Sequence, residues 1–456
     1  MMDAMSRCEL QELSGERAPF VAGTFFDLST VGYEQAEYAI SGAARAYERS
    51  SSGLAVVEEA DIRTRLLVYR PSDPVAFDGT VVVEWLNVSG GLDAAPLWLM
   101  AHRELIRAGA AWVGVSAQEM GVSGGVSVLE IAASPLVQLD PERYGHLVHP
   151  GDRFSYDLFS MAGQVARAGH GTILDGLDVQ RVVAVGESQS AFRLTTYINE
   201  IDELDQVYDG FLVHARGGTG APLDDERDPR RLREGPPTPF RDDPRVPVLC
   251  VEAETDLVTL DYRVARQDDE ERLVTWEMAG TSHADVYTLV VGFMDDGRQP
   301  FEQLAPQWRP SADVLGATLD HPINAGPQHY VLQAAVRAFD DWVRADVRPP
   351  ASPRLALAGD GFATDDHGNA LGGIRTPHVD VPVATLTGLG NAGSPLAFLT
   401  GCTIPFPPDQ VAGLYGTKAA YAERFTASAD DAIAAGFLLG DDLDEIVAIA
   451  AANVEL

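Results

Sequence analysis

The chain has 456 residues, of which 46% are hydrophobic and 22% are charged. This balance is typical of a globular protein with a large core and excludes long disordered regions. The formal net charge of −35 would repel nucleic acids and anionic membranes over most of the surface, so we expect neither as a partner.

Short β-type runs alternate with helical patterns from Tyr33 to about Val290. This alternation predicts βαβ units, and hence an α/β protein with a mostly parallel sheet flanked by helices. Eight strands are expected, at 34–40, 64–69, 80–86, 111–117, 181–185, 210–213, 246–251 and 273–277.

Two helices have clear sequence signals. The first follows the strand at 80–86: Asp93 is expected to cap its N-terminus, Pro96 suits its first turn and Gly109 is expected to end it. The second, at about 327–344, has apolar residues at helical spacing and is expected to pack on the sheet.

Three long stretches interrupt the alternation, at about 118–155, 217–244 and 284–326. Long insertions that are not of low complexity often cover a binding site, so we expect them to act as lids or binding loops. Residues 351–456 follow without a flexible linker, and an Ala-rich helix is expected near 430–453. We therefore predict a core at 1–350 and a C-terminal extension at 351–456 that packs on it.

The segment RVVAVGESQSAFRLTTYINEI, residues 181–201, passes from an apolar strand to an amphipathic helix through Gly186-Glu187-Ser188-Gln189-Ser190. A strand, a sharp turn and a helix with a serine at the turn form the nucleophile elbow of the α/β-hydrolase fold. The turn requires small residues two positions either side of the serine: Gly186 meets this, and Ser190 replaces the commoner glycine. Ser188 is therefore the predicted nucleophile.

A second serine lies in a better match to the string G-x-S-x-G, at Gly-Val-Ser-Gly-Gly, residues 121–125. Three residues, Gln118, Glu119 and Met120, separate this segment from the preceding strand, and no helical pattern follows Gly125. The elbow geometry is therefore absent, and Ser188 is preferred to Ser123.

The partners of such a serine follow it in the order acid, then histidine, each after a late strand. Asp256 lies in the turn after the strand at 246–251, where Glu252 and Glu254 compete for the same role. His283 follows the strand at 273–277 and is the predicted general base, oriented by Asp256. The remaining histidines fit this order less well, for example His146, His149, His214, His321, His329 and His378.

The predicted oxyanion hole has two parts. The backbone N–H of Gln189 starts the helix after Ser188 and would face the developing negative charge. The second donor is expected from the loop after the strand at 80–86, at Asn87 or Val88, where Gly90 and Gly91 allow close approach of the backbone.

With these residues in place, the chain resembles a bacterial family of α/β-hydrolase-domain proteins. The similar segments cover most of the chain: VEWLNVSGGLDAAP, DPERYGHLVHPGDRFSYDLFS, GESQSA, ETD, AGTSHAD, AGPQHYVLQAA and GGIRTPHVDVP. The resemblance implies a serine hydrolase fold in which the C-terminal part is integral, but it implies no particular substrate.

The main functional hypothesis is hydrolysis of a small carboxylic ester, lactones included, through an acyl-enzyme on Ser188. The same site could transfer the acyl group to another acceptor if the insertions exclude water, and a binding protein that lost its chemistry is a third interpretation. No metal-ligand motif such as H-E-x-x-H occurs, so we expect neither a metal nor another cofactor.

The three cysteines, Cys8, Cys250 and Cys402, are an odd number without C-x-x-C spacing, which argues against a disulfide framework or a cysteine zinc site. The first twenty residues contain no apolar core of a signal peptide, and no later segment has about 18 uninterrupted apolar residues. These features lead us to expect a cytoplasmic protein, and the sequence leaves its oligomeric state open.

Overall fold

The computed structural model describes residues 8–51, 53–125, 132–169, 171–224 and 235–456. Within them, nine strands form one sheet: β1 Cys8–Glu12, β2 Tyr33–Ser50, β3 Gly53–Pro71, β4 Thr80–Trp85, β5 Ala111–Val115, β6 Arg181–Glu187, β7 Phe211–His214, β8 Val248–Ala253 and β9 Leu273–Met278.

The strand order is β1-β2-β3-β5-β4-β6-β7-β8-β9. The pairs β1–β2, β2–β3 and β3–β5 are antiparallel. The remaining pairs, β5–β4, β4–β6, β6–β7, β7–β8 and β8–β9, are parallel. The carboxyl ends of β4, β6, β7, β8 and β9 therefore meet at one edge of the sheet, which is where ligands bind in open α/β sheets. The predicted mostly parallel α/β sheet is confirmed.

The sheet has one strand more than the eight expected. The additional strand, β1, pairs antiparallel with β2 in the register Cys8↔Gly42. It is short, lies at the edge of the sheet, and its sequence CELQE offers only two apolar positions. Such a strand gives almost no periodic signal because its outer face is solvated.

The hairpin of β2 and β3 is also much longer than the strands expected at 34–40 and 64–69. Its distal arm, from about Ser41 to Arg63, contains small and charged residues whose β3 half is largely exposed. One side of the arm packs on a helix, where the Asp157 carboxylate accepts hydrogen bonds from the backbone N–H of Arg45 (2.9 Å) and from Tyr47 Oη (2.8 Å). Tertiary contacts rather than local apolar alternation therefore stabilise this arm.

Helices cover both faces of the sheet. One buried cluster combines alternate strand residues such as Val82, Leu212 and Trp276 with the helices at 96–108, 328–345, 418–434 and 443–453. The other combines residues such as Val83 and Val213 with the helices at 155–168 and 189–196. The helices are α1 Pro96–Ala108, α2 Glu119–Ser123, α3 Leu136–Leu139, α4 Pro141–Tyr144, α5 Ser155–Ala168, α6 Gln189–Thr196, α7 Asp202–Asp205, α8 Glu254–Val258, α9 Phe301–Leu304, α10 Gln328–Ala345, α11 Pro377–Asp380, α12 Ala397–Thr400, α13 Pro408–Tyr415, α14 Lys418–Ala434 and α15 Leu443–Asn453.

Six short strands complete the described structure in three two-stranded ladders: β10 Asp313–Val314 with β11 Ala317–Thr318, β12 Leu357–Ala358 with β13 Gly361–Phe362, and β14 Ala384–Thr387 with β15 Cys402–Pro405. Within the described ranges, no helix combines the length and the apolar character needed to cross a membrane.

The N-terminus of α1 is capped by Glu84, and the prediction that Asp93 caps it is wrong. The buried Glu84 carboxylate on β4 accepts hydrogen bonds from the backbone N–H groups of Leu97 (2.9 Å) and Trp98 (3.0 Å) and from Trp112 Nε1 (2.8 Å). Burial outweighs these three donors and raises the pKa of Glu84 to about 8. Helix α1 is therefore attached to the sheet through a carboxyl group that titrates near neutral pH.

Asp93 is instead part of a buried ion pair. Its Oδ2 lies 2.8 Å from Arg65 Nη2 and accepts a hydrogen bond from Ser116 Oγ. Because Arg65 and Asp93 are both almost completely buried, the carboxylate stabilises the guanidinium and is not available to the helix. Sequence spacing alone suited Asp93 to the cap, but Arg65 lies 28 residues earlier in the chain.

The C-terminal part contacts the rest of the molecule at several places. Ile374 pairs in parallel alongside the end of the edge strand β9, since its N–H donates to Glu277 O (2.6 Å) and Ala279 N–H donates to Ile374 O (3.0 Å). Glu445 accepts hydrogen bonds from Arg103 Nη1 and Tyr330 Oη, both at 2.6 Å. These contacts favour the predicted extension of 351–456, and the division at residue 350 stays a prediction.

The Ala-rich helix expected near 430–453 is two helices. Helix α14 ends at Ala434 and α15 begins at Leu443. Gly436 lies between them with φ of +84°, a conformation that favours glycine and stops a helix. The ring of Phe437 in this break packs edge-on against Trp276 of β9, with ring centroids 5.1 Å apart.

The buried carboxyl of Glu84 predicts a pH dependence of stability. Its folded-state pKa lies above the ordinary value of 4.5, so the folded protein binds this proton more tightly than the unfolded chain. The stabilisation of the folded state by this proton is fully present below about pH 4.5 and is lost as the pH rises through about 8. The melting temperature of Glu84→Gln should therefore fall less steeply between pH 6 and 9 than that of the wild type, whatever its absolute value.

The exposed Glu34 provides the control, since Glu34→Gln should retain the wild-type slope. An unchanged slope in Glu84→Gln would contradict the assignment.

Truncation after Pro350 should give insoluble or thermally unstable protein. It would expose the buried Trp276 by removing Phe437, and it would leave Arg103 with only its 3.4 Å contact to Asp295 in place of the 2.6 Å contact to Glu445. Solubility and melting temperature are the measurements. A soluble fragment 1–350 with an undiminished melting temperature would show that 351–456 is a separate domain.

Candidate active site

The turn between β6 and α6 has the strained backbone of a nucleophile elbow. Ser188 has φ of 55° and ψ of −120°, which is unfavourable for any residue other than glycine. A Cβ on Gly186 would lie 3.2 Å from the backbone C and O of Ser190, which is tighter than normal contacts. Glycine at 186 therefore suits the close turn, and the small Ser190 is completely buried beside it.

Hydrogen bonds from neighbouring segments hold this turn. The backbone N–H of Ser188 donates to His214 O at the end of β7 (3.0 Å). Asn87 Nδ2, in the loop after β4, donates to Glu187 O (3.1 Å). The elbow is therefore attached to two other segments at the carboxyl edge of the sheet.

His283 and Asp256 are in direct contact. His283 Nδ1 lies 2.7 Å from Asp256 Oδ1, and the other carboxylate oxygen of Asp256 accepts a hydrogen bond from Ala253 N–H (2.7 Å). Both side chains are largely buried, so little water competes for this hydrogen bond. Since Nδ1 faces Asp256, Nε2 is the ring nitrogen left to act on a substrate or a nucleophile.

The two competing carboxyl groups have other partners. Glu254 accepts hydrogen bonds from Gly280 N–H (2.6 Å) and Gly388 N–H (2.8 Å), and burial raises its pKa to about 7. Glu252 accepts from the backbone N–H of Arg216 (3.3 Å), and burial raises its pKa well above the usual value. Of the three acids, Asp256 is therefore the one in contact with the His283 ring.

The loop that carries His283 is held by residues that sequence reasoning missed. His283 N–H donates to Thr255 Oγ1 (3.2 Å), and Ala284 N–H donates to Leu399 O (2.9 Å). Asn324 Nδ2 donates to Gly280 O (3.0 Å), where a side chain on Gly326 would not fit. Leu399 and Asn324 are far from His283 in sequence, so no local pattern could have revealed them.

Glu187 lies next to the imidazole on the side opposite Asp256. Its Oε1 is 3.7 Å from His283 Nε2, beyond hydrogen-bonding distance but close enough for a strong electrostatic interaction. Burial raises the pKa of Glu187 to about 7, even though the adjacent His283 favours its ionised form. The sequence assigned Glu187 only to the elbow, and its position beside the histidine is a finding of the structure.

The sites expected for an oxyanion hole differ in the availability of their N–H groups. The N–H of Asn87 donates to Ala94 O (2.8 Å), and its side chain holds the elbow. The N–H groups of Val88 and Gln189 have no hydrogen-bond acceptor among the described residues. Of the loop residues named from the sequence, Val88 therefore has the free donor and Asn87 does not.

The alternatives to Ser188 and His283 lie in other surroundings. Ser123 is exposed as the last residue of the short helix α2, so it does not lie in a turn between a strand and a helix as the elbow serine does. His214 is buried at the end of β7, where burial and the nearby His283 lower its pKa to about 3, so it stays neutral. A cavity of about 410 Å³ in the C-terminal part, lined by Leu386, Val411 and Tyr421 among others, includes none of the predicted site residues.

In the part of the chain that the structure describes, no group of three or more histidine, cysteine, aspartate or glutamate side chains is arranged to hold a metal ion. The arrangement that does occur is a half-buried serine at a strained turn beside a histidine and carboxylate pair. Such a constellation is suited to nucleophilic attack by serine with imidazole as general base.

The family model described as "Alpha/beta hydrolase domain" matches residues 9–448. The chain belongs to this alpha/beta hydrolase family. The match includes the elbow, the Asp256–His283 pair and nearly all of the C-terminal part. A search of curated protein sequences finds no match.

Several solved structures are similar in part. A cold-adapted esterase from an Arctic intertidal metagenomic library is 10% identical, with 59% of this chain and 89% of that chain covered and a TM-score of 0.30. A thermostable esterase from Pseudomonas putida is 13% identical (56% and 75% covered, TM-score 0.29), and a serine hydrolase without a lid from Xanthomonas campestris is 14% identical (53% and 85% covered, TM-score 0.29). These values are too low to indicate a substrate.

The contact between Asp256 and His283 predicts that Asp256→Asn slows covalent labelling of Ser188 by a fluorophosphonate by about 10³-fold or more. The amide cannot stabilise the imidazolium and favours the wrong tautomer of the ring. Labelling rates followed by mass spectrometry would measure the effect.

Glu252→Gln is the matched control, since burial favours the neutral form of that carboxyl and the amide resembles it. Wild-type labelling of Asp256→Asn, with loss of labelling in Glu252→Gln or Glu254→Gln, would assign the orienting acid to another residue.

Proposed function

We propose that this protein is a serine hydrolase that cleaves carboxylic esters, lactones included, with Ser188 as nucleophile, His283 as general base and Asp256 as orienting acid. The observation that carries the proposal is the buried 2.7 Å contact between Asp256 and His283 beside the strained Ser188 turn. Membership of the alpha/beta hydrolase family supports the same chemistry. No cofactor is required for it.

In the first half-reaction, Ser188 Oγ attacks the ester carbonyl carbon while its proton passes to His283 Nε2. The carbonyl oxygen becomes an oxyanion, for which we assign the backbone N–H groups of Gln189 and Val88 as donors. When the C–O bond to the alcohol breaks, the alcohol takes the proton from Nε2 and leaves an acyl-enzyme.

In the second half-reaction, a water molecule attacks the acyl carbon and transfers a proton to Nε2. The bond to Ser188 Oγ then breaks, the carboxylic acid leaves, and Oγ recovers the proton from the imidazolium. Asp256 stabilises the imidazolium in both halves without taking its proton. Atoms and charges balance, and one water is consumed for each ester.

Replacing the nucleophile provides the test. Ser188→Ala should lower the rate of p-nitrophenyl acetate hydrolysis by about 10⁴-fold or more and abolish fluorophosphonate labelling, because the side chain contributes chemistry and little packing. Analysis of the products would show whether the acyl group is released as the free acid.

Ser123→Ala is the matched control and should retain wild-type activity, since Ser123 is exposed at the end of α2 and does not lie in an elbow. If the purified, folded Ser188→Ala variant stays active, the proposed function is wrong.

A further inference from the structure

Glu187 is a second carboxyl group beside the imidazole of His283. Its side chain is almost fully buried, with 5% of the residue exposed, and its carboxylate accepts no hydrogen bond from the described part of the chain. A buried carboxyl group normally has hydrogen-bond partners or an arginine beside it. The nearest charged group is His283, whose Nε2 lies 3.7 Å away.

The other titratable groups around this pair come from three elements. Asp256 of α8 faces Nδ1 of the same imidazole. A charge on Glu187 raises the pKa of Glu84 on β4, and a charge on His283 lowers the pKa of His214 on β7, which stays neutral. None of them is a cation that would neutralise an ionised Glu187, so the imidazolium of His283 is the positive charge nearest to it.

We propose that the Glu187 carboxylate is a positioning residue that stabilises the protonated form of His283 during acyl transfer, opposite Asp256. This inference rests on the proposed function, because it assigns a role within the same site. At 3.7 Å the carboxylate oxygen is too far to take the Nε2 proton that Ser188 delivers, yet opposite charges at this separation attract strongly. Asp256 thus fixes the tautomer through Nδ1, and Glu187 adds negative charge beside Nε2.

The elbow itself places Glu187 there. As the last residue of β6, it pairs with His214 of β7 and precedes the strained Ser188. A residue at this position is carried by the same rigid turn as the nucleophile, so its distance from the imidazole is set together with that of Ser188. Two successive residues, Glu187 and Ser188, therefore carry the charge that assists the base and the nucleophile itself.

The test uses Glu187→Gln, which keeps the size of the side chain and removes its charge. At low pH, where the wild-type carboxyl is protonated, the two proteins should have the same kcat/KM for p-nitrophenyl acetate. Above the acid limb, where Glu187 is ionised, the wild type should be about tenfold faster, and the acid limb of the variant should lie about one pH unit lower. Glu187→Asp retains the charge and should restore part of both differences.

The matched control is Glu104→Gln, which removes a buried carboxyl on α1, remote from the elbow, and should leave the pH profile unchanged. A purely structural effect of Glu187→Gln would lower kcat/KM by the same factor at every pH and would overturn the proposal. So would an unchanged acid limb with a raised KM, which would indicate that Glu187 contacts the substrate instead.

Fluorophosphonate labelling distinguishes failure of the role proposed for Glu187 from failure of the proposed function. If wild-type Ser188 is labelled and the profiles of the wild type and Glu187→Gln are parallel, only the role of Glu187 is wrong. If wild-type Ser188 is not labelled, the proposed serine chemistry itself fails.

Discussion

The left-handed backbone of Ser188 is the constraint on which the site depends. A serine at φ of 55° and ψ of −120° costs about 1–3 kcal/mol, and such a conformation persists only where its surroundings determine it. Here the N–H of Ser188 is held by His214 of β7 and the preceding carbonyl by Asn87 after β4. Both partners are available because parallel β4, β6 and β7 end at the same edge. The parallel topology therefore has a direct chemical consequence, since it holds the serine in the strained turn.

The histidine depends on a different set of contacts, which span a much longer stretch of the chain. Glu254 binds the N–H groups of Gly280 and Gly388, and so connects the loop of His283 to the segment beyond residue 384. Thr255 adds a second bond to the same glycine, since its Oγ1 donates to Gly388 O (2.6 Å). In the short helix α8, Asp256 thus faces the imidazole, while Glu254 and Thr255 hold the loop of His283 and the C-terminal part. Although residues 351–456 contribute no predicted catalytic group, they help to set the position of His283.

The sequence could predict features that depend on residues close together in the chain, but not those that depend on contacts between distant residues. The elbow was predictable because a strand, a turn and a helix lie within twenty-one consecutive residues, and Ser123 could be set aside because the same local context is missing there. Asp256 and His283 could be placed by their order after late strands. Asp93 was assigned wrongly as a helix cap, because neither the ion pair with Arg65 nor the role of Glu84 has a local signature. The same limit explains β1, the long hairpin and the residues that hold the loop of His283, all of which depend on pairing between distant segments.

The buried carboxyl groups of this acidic chain differ in whether an arginine lies beside them, and this difference determines the pH at which they ionise. Asp93 and Glu277 lie against arginines, with Arg65 at 2.8 Å and Arg266 at 2.5 Å, so the charge of each carboxylate is balanced by a guanidinium. Glu84 and Glu254 are held by N–H donors without such a cation, and burial raises their pKa values to about 8 and about 7. An N–H donor supplies only a partial charge, which does not replace the lost hydration of a full one. Glu84 and Glu254 are therefore mostly protonated up to about pH 7, and only above that pH do they carry a negative charge that no guanidinium balances. Among the described residues Glu187 lacks even the N–H donors, and burial raises its pKa to about 7, so the cation that can balance its charge is the imidazolium of His283 beside it.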